Sequence, residues 1–501
     1  MNPAQLSVWT PPSALHRLPS TVYRLSNPLS LLPIALAAGG GRIDGTPGAQ
    51  LVAAGFTLLQ RSAPLVRALA GKRSAILLPS SGAFVTALAA SDGRGAVLLN
   101  PLASPPELAF QLDDANVGAV FTNRALAPRL PAGARPVVLL DDAPRSATVI
   151  AGDTETVIDL GSHFGLDLAG EAEAGSDEEC VIVYTSAMAG TALGAVLTHR
   201  NLMANARSAI DAISLNDTDH LLAALPFSHL FGFTTTLAAS LMAGARVTTM
   251  ARFHPARALD IIENDGVTVL VGVPAMYGGL VKMLERRGSP PADPMPRVCL
   301  CGGAPLQRAL QDRWFELTGE ELRQGYGLTE AGPCSLFNVP HYPNRRGTLG
   351  IPFPGVHVSV RDPDTSAALP AGTDGELCVR GDNVFRGYLH DGHLGLQVRD
   401  GWLHTGDRAV ERTDGTFEFL GLLKAMFTHK GFNVYPAEVE RVLRDLPGVS
   451  SVQAYAIHEP AHENDIGLEI TGSVTEAEVR QWCEARLGVY KQPERVVITP
   501  G

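Results

Sequence analysis

The run Val181-Ile-Val-Tyr-Thr-Ser-Ala-Met-Ala-Gly-Thr-Ala-Leu-Gly194 begins as apolar strand sequence and turns into a loop of hydroxyls and small residues. A helix-like stretch, 201–210, follows it. A strand that ends in such a loop can aim backbone N–H groups and hydroxyls at phosphate oxygens, although an ordinary strand-to-helix turn has the same composition. The surroundings supply the fold class. Short apolar runs at 74–78, 95–99, 118–122, 136–140, 180–184 and 267–271 are bounded by Gly, Pro, Ser or Asp and alternate with amphipathic runs. That alternation predicts α/β layers around a partly parallel sheet.

Farther along, the texture changes. From about residue 347 to 419 short strand-like runs are separated by Asp362-Pro363, Asp374-Gly375, Asp400-Gly401 and Asp414-Gly415, which predicts a small β-rich subdomain. After Gly421 come a helix pattern at 436–446, a strand-like 452–457 and a helix pattern at 475–487, enough for a small α+β lid.

With 501 residues the chain is long enough for two or three domains. Its 45% hydrophobic and 18% charged residues describe a globular protein. The formal charge of −11 and the lack of any Lys/Arg stripe argue against nucleic-acid binding. Cys180, Cys299, Cys301, Cys334, Cys378 and Cys483 form no C-x-x-C pair, which reads as reduced, mostly buried thiols in a cytoplasmic protein. The apolar stretch 31–38 is too short to span a bilayer and contains Pro33, so neither a membrane span nor a signal peptide is expected. Only Lys72, Lys282, Lys424, Lys430 and Lys491 are lysines, and a mechanism that needs one must choose among those five.

Three more clusters carry chemistry. Gln324-Gly-Tyr-Gly-Leu-Thr-Glu330 places an aromatic ring, a hydroxyl and a carboxylate within a short turn-rich segment, a set able to stack a purine, meet a phosphate and hold Mg²⁺. Asp400-Gly-Trp-Leu-His-Thr-Gly-Asp407 ends in a carboxylate able to accept from both hydroxyls of a ribose. Gly421-Leu-Leu-Lys-Ala-Met-Phe-Thr-His-Lys-Gly-Phe-Asn-Val-Tyr-Pro436 runs from a hinge-like stretch to the start of a helix. Each by itself also fits a structural role.

In this order the segments resemble the adenylate-forming superfamily of acyl-CoA synthetases, luciferases and peptide-synthetase adenylation domains. The resemblance runs from about residue 50 to 495 and includes Leu78-Pro-Ser, Asn100-Pro-Leu, Cys301-Gly-Gly-Ala-Pro-Leu306 and Gly375-Glu-Leu-Cys-Val-Arg-Gly381. It implies an α/β fold with a large N-terminal adenylation domain (1–420) of layered α/β subdomains plus a small β-rich one, a hinge (421–425) and a small α+β C-terminal lid (426–501). The implied reaction joins a carboxylic acid to ATP, releases pyrophosphate and passes the acyl group to a thiol, either coenzyme A or the phosphopantetheine of an acyl carrier protein, with Mg²⁺ as cofactor.

The resemblance also implies roles for residues. Thr185, Ser186 and Gly190 become phosphate contacts, Gly303, Ala304 and Pro305 an adenine and acyl wall, and Tyr326 an adenine neighbour. Thr329 meets the phosphate, Glu330 the Mg²⁺ and Asp407 the ribose, with Thr329, Glu330 and His229 as the catalytic set. Leu225-Pro-Phe-Ser-His-Leu-Phe-Gly232 looks like the segment beside the carboxylate pocket. His229 is then at the mouth, with Phe231, Phe233, Val271 and Met276 as walls suited to an apolar or aryl acid, although a packed core histidine is the competing reading. Lys430, Gly431 and Phe432 correspond to the stretch that meets the pantetheine arm, against a solvated surface lysine as the alternative for Lys430.

The chain departs from the pattern at its cations. The family's Gly-Thr-Thr-Gly and following Lys-Gly are here Ala187, Met188, Ala189 and Gly190, then Leu193-Gly194. Its hinge Gly-Arg is Gly421-Leu422, followed by Lys424-Ala425. Tyr490-Lys-Gln-Pro493 looks like the approach to a C-terminal catalytic lysine expected about ten residues beyond Gly501, and no lysine follows Lys491 in this sequence. Two expectations follow: an atypical or slow acid–thiol ligase, or a relative that binds nucleotide, acyl-CoA or a carrier protein without ordinary turnover.

Overall fold

The apolar runs become the central strands of two nine-stranded sheets. In this computed structural model the described residues are 31–91, 95–133, 135–142, 144–161, 177–185, 192–288, 291, 295–390, 396–423, 427–430, 432–458 and 464–499. In one sheet Arg73–Leu77 pairs in parallel with both Ala96–Leu98 and Val117–Thr122, and Ala96–Leu98 pairs in parallel with Glu179–Thr185. These strands are almost wholly buried, as expected where helices cover both faces of a parallel sheet. In the other sheet His220–Ala223, Val269–Gly272, Val298–Cys301 and Leu322–Gly327 run parallel in that order.

One local expectation is corrected. The loop after Thr185 does not lead directly into a helix: Leu193–Thr198 forms a strand that returns antiparallel to Glu179–Thr185. Its buried Gly-Ala-Val-Leu-Thr stretch gains a ladder partner there, and only then does His199–Ile213 begin, under a capping box of Thr198 and Asn201.

The β-rich region is a five-stranded sheet of His357–Arg361, Asp374–Arg380, Trp402–Glu411, Gln397–Arg399 and Phe417–Leu422. Ile351–Pro352, inside the same stretch of sequence, instead joins the edge of a nine-stranded sheet. The smaller C-terminal domain packs Pro436–Arg444 and Glu476–Arg486 on a sheet of Val449–Ile457, Asp465–Gly472 and Arg495–Thr499, and it has its own core of Val434, Val439, Leu443, Ile466, Leu468 and Val479. A hairpin of Phe427–His429 and Phe432–Val434 contributes Phe427 and Val434 to that core. All six cysteines are free and buried. Among the described residues no helix is long and apolar enough to cross a membrane.

Candidate active site

The segments Gly302–Pro305 and Gly327–Thr329 begin where the parallel strands Val298–Cys301 and Leu322–Gly327 end. Ligands of open α/β sheets bind outside the carboxyl ends of such strands. Glycine is required at two points of this rim. Gly303 has φ +79°, and a Cβ on Gly327 would stand 1.7 Å from the Pro333 carbonyl oxygen.

A cavity of about 600 Å³ opens here, lined by Gly303, Ala304, Pro305, Tyr326, Glu330 and Asp407 among others. A smaller one of about 80 Å³ shares the wall of Gly303, Gly325, Tyr326, Gly327 and Leu328 and is reached by His229, Phe231 and Thr329. Lid residues Phe427, Tyr435 and Asn464 complete the larger cavity.

Two carboxylates dominate it. Glu330 is buried, and its Oε1 accepts from Thr185 Oγ1 (3.1 Å) and from the Tyr388 hydroxyl (2.9 Å). Burial raises its pKa despite those donors. Asp407 Oδ2 accepts from the Tyr326 hydroxyl at 2.6 Å, and burial pushes its pKa up to about 6. The loop that carries Asp407 is braced from behind: Glu376 Oε1 accepts from the Gly406 N–H (2.8 Å), while Oε2 lies 2.6 Å from His404 Nδ1.

The set of a carboxylate and a threonine hydroxyl, both hard oxygen donors, fits a Mg²⁺ ion that also takes water and phosphate oxygens. A buried carboxylate with no Lys or Arg among the described residues lining its cavity is a charge such an ion would balance. Among the described residues lining the larger cavity there is no Lys or Arg. Leu193 is the cross-strand partner of Thr185, and Leu422 is that of Asp407. Two leucines thus stand across from Thr185, a donor to Glu330, and from Asp407 itself.

His229 and Phe231 sit together on the smaller cavity, and burial pushes the imidazole down to about 4, so it is neutral at pH 7. Its Nδ1 accepts from the Phe231 N–H (3.2 Å). Phe233 is not a wall. Two positions on along the same helical stretch it points away, fully buried, with Phe84 6.3 Å from its ring. Val271 is likewise buried in the core, on the strand Val269–Gly272, and half-buried Met276 packs against core clusters without lining either cavity.

On the lid, Phe432 brings its ring 6.2 Å from His229. Lys430 faces elsewhere: its ammonium is 2.9 Å from Glu494 of the lid itself. Ser186, Gly190, Lys424, Ala425 and Gly431 lie outside the described residues. Sequence reasoning missed Tyr388 and Tyr435. Tyr388 stands in no segment with its own chemical signature and reaches Glu330 by tertiary packing alone, while Tyr435 lies in the hinge-to-helix segment but was assigned no role, and only the fold brings it to the cavity.

The family model of the AMP-binding enzyme matches residues 65–389. A 4-coumarate–CoA ligase from Oryza sativa subsp. japonica is 31% identical over 484 residues, covering 91% of this chain and 85% of that protein. A feruloyl-CoA synthase from an Amycolatopsis species is 32% identical over 438 residues, 86% and 85% of the two. Among solved structures, o-succinylbenzoate CoA synthetase from Bacillus subtilis superposes with a TM-score of 0.78 at 24% identity over 94% of both chains. A malonyl-CoA ligase with methylmalonyl-CoA and AMP bound gives 0.75 at 25%, over 93% of this chain and 96% of that one. The matched span, with full-length relatives above 30% identity, means that this chain belongs to the AMP-binding enzyme family of adenylate-forming ligases.

Proposed function

We propose that this protein is an atypical acyl-CoA synthetase-like ligase. It activates an apolar or aryl carboxylic acid with ATP, with a slow first step, and passes the acyl group to a thiol of coenzyme A or carrier-bound phosphopantetheine. In the first step a carboxylate oxygen bonds to the α-phosphorus while the bond to the leaving pyrophosphate breaks. In the second the thiol sulfur bonds to the acyl carbon, AMP leaves and the thiol proton is released. One observation carries the reading: Glu330, which accepts from Thr185, and Asp407, which accepts from Tyr326, face a single cavity walled by Gly303, Ala304 and Pro305.

In this reading Asp407 keeps one oxygen for the ribose hydroxyls while Tyr326 holds the other, and the Tyr326 side chain flanks the adenine. Glu330 and Thr185 would hold Mg²⁺, which supplies positive charge to the phosphate oxygens when bound. Neutral His229, with Nδ1 accepting from the backbone, carries its proton on Nε2 and offers a donor to the acid's oxygen. The relatives' acids, 4-coumarate and ferulate, are aryl, in keeping with Phe231 beside His229.

The slow first step follows from Leu193 and Leu422. Phosphoryl chemistry relies on preorganised positive groups, and the loss of a single preorganised donor from an oxyanion hole costs roughly 2.7–4 kcal/mol. Losses within one such unit are not additive. The same pair of leucines favours a second reading, a protein that binds nucleotide or acyl-CoA without turnover.

ATP–pyrophosphate exchange over a panel of acids that includes hydroxycinnamates tests the first reading. Exchange above a Glu330→Ala control for at least one aryl acid is expected. No exchange with any acid, together with a clear thermal shift on adding AMP or CoA, hands the site to the second reading.

A further inference from the structure

Away from the cavity, the lid meets the large domain at a second place, where two helices stand end to end. Pro105–Asp114 of the large domain begins under a capping box: Glu107 N–H donates to Ser104 Oγ, and Ser104 N–H donates to Glu107 Oε2. Opposite it ends the lid helix Glu476–Arg486, whose Arg486 carbonyl accepts from Ser104 Oγ at 3.1 Å. The positive end of one helix dipole therefore faces the negative end of the other. Just beyond, Val489 N–H donates to the Leu102 carbonyl (3.4 Å).

At this junction Lys491 is buried, its side chain only 3% exposed, between carboxylates of both domains. Its ammonium is 2.9 Å from Glu107 Oε1 and 2.7 Å from Glu438 Oε1. Glu438 belongs to the lid helix Pro436–Arg444, so the Lys491–Glu438 pair is internal to the lid and Glu107 is the partner that only docking supplies. The junction connects to the cavity. Tyr490, next in sequence to Lys491, packs its ring 4.4 Å from Phe432, the residue that faces His229.

We propose that Glu107 and Lys491 are positioning residues whose interdomain ion pair seats the lid so that Phe432 faces His229, and that this seating serves the thiol-transfer step rather than nucleotide binding. The proposal rests on the reading of the protein as an acid–thiol ligase. Ser104 and the helix end of Arg486 set the direction of approach, and the ion pair sets the register. The Glu107→Gln side chain has a single acceptor oxygen, and when the capping box takes it the buried Lys491 ammonium loses its interdomain acceptor, whereas a solvated surface pair would hardly register.

Glu107→Gln removes the charge while keeping a residue that still completes the capping box. With a supplied aryl acyl-adenylate and coenzyme A, thioester formation by the full-length variant is expected to slow about tenfold or more, the scale of one charged hydrogen bond. AMP affinity is expected to stay at the wild-type value. A rate within twofold of wild type, or a loss shared equally by AMP binding, overturns the proposal.

A second measurement keeps it separable from the ligase reading. Leu102→Cys with Val489→Cys places a cysteine pair at two exposed, hydrogen-bonded positions, and the six native thiols are buried. Oxidative cross-linking of this pair is expected to fall several-fold when Glu107→Gln is added; an unchanged yield overturns the seating. If wild type transfers no acyl group at all, the ligase reading fails and the cross-linking result alone decides this one.

Discussion

The cavity and the lid junction treat charge in opposite ways. At the junction one ammonium, Lys491, is buried between two carboxylates. In the larger cavity two carboxylates, Glu330 and Asp407, face a described lining without a Lys or Arg, and leucines hold the cross-strand positions beside Thr185 and Asp407. In a chain with five lysines, one is committed to holding two domains in register. The contrast teaches that burial of a charge is tolerated where its counter-charge is built into the fold, as it is around Lys491.

The sharpest way to break the comparison is Lys491→Met. It leaves Glu107 and Glu438 facing one another in a buried site, and removal of one partner from a buried ion pair costs about 3–5 kcal/mol. Urea unfolding is expected to report a loss of that order. A loss below ~1 kcal/mol would mean that the junction behaves as a solvated surface contact.

Leu422→Arg inverts the contrast from the other side by giving the cavity a cation opposite Asp407. If the apolar residue limits adenylation, ATP–pyrophosphate exchange rises by about 10²-fold, the scale of one well-placed donor. An unchanged rate would show that the leucine is not what slows the first step.

The smallest expected effect is a pH dependence. Asp407 has a pKa raised to about 6, so its ionised form, the better acceptor for ribose hydroxyls, is lost as pH falls through 6. AMP affinity is expected to drop about tenfold between pH 7 and pH 5. Because the folded-state value lies above the unfolded one, the same ionisation costs stability above pH 6, and that cost fades as pH falls toward 4. Binding and apo stability from this group therefore move in opposite directions. The neighbouring groups are Tyr326, held protonated by burial, Glu330, raised in the same direction, Glu376, and His229, neutral down to about 4. Asp407→Asn is expected to flatten the binding profile; an unaltered slope in that variant would assign the titration to Glu330.

Much of this was legible residue by residue. The apolar runs at 74–78, 118–122 and 180–184 are strands because burial on both faces demands continuous apolar sequence. Glu330, Asp407 and Tyr326 stood out because each lies in a short, glycine-containing segment that groups carboxylate, hydroxyl and aromatic side chains. Phe233 and Val271 were misplaced as walls because sequence proximity to His229 says nothing about which side of a helix or strand a residue takes.

Sequence alone determined the layers, the family and the apolar residues at 193 and 422, since these depend on local pattern and on residue identity. Only the tertiary structure decided that Leu193 lies across from Thr185 and Leu422 across from Asp407, that Tyr388 reaches Glu330, and that Lys491 joins Glu107 to Glu438. Those meetings span up to 384 positions of chain, and strand register and domain docking, which no local preference encodes, bring their partners together.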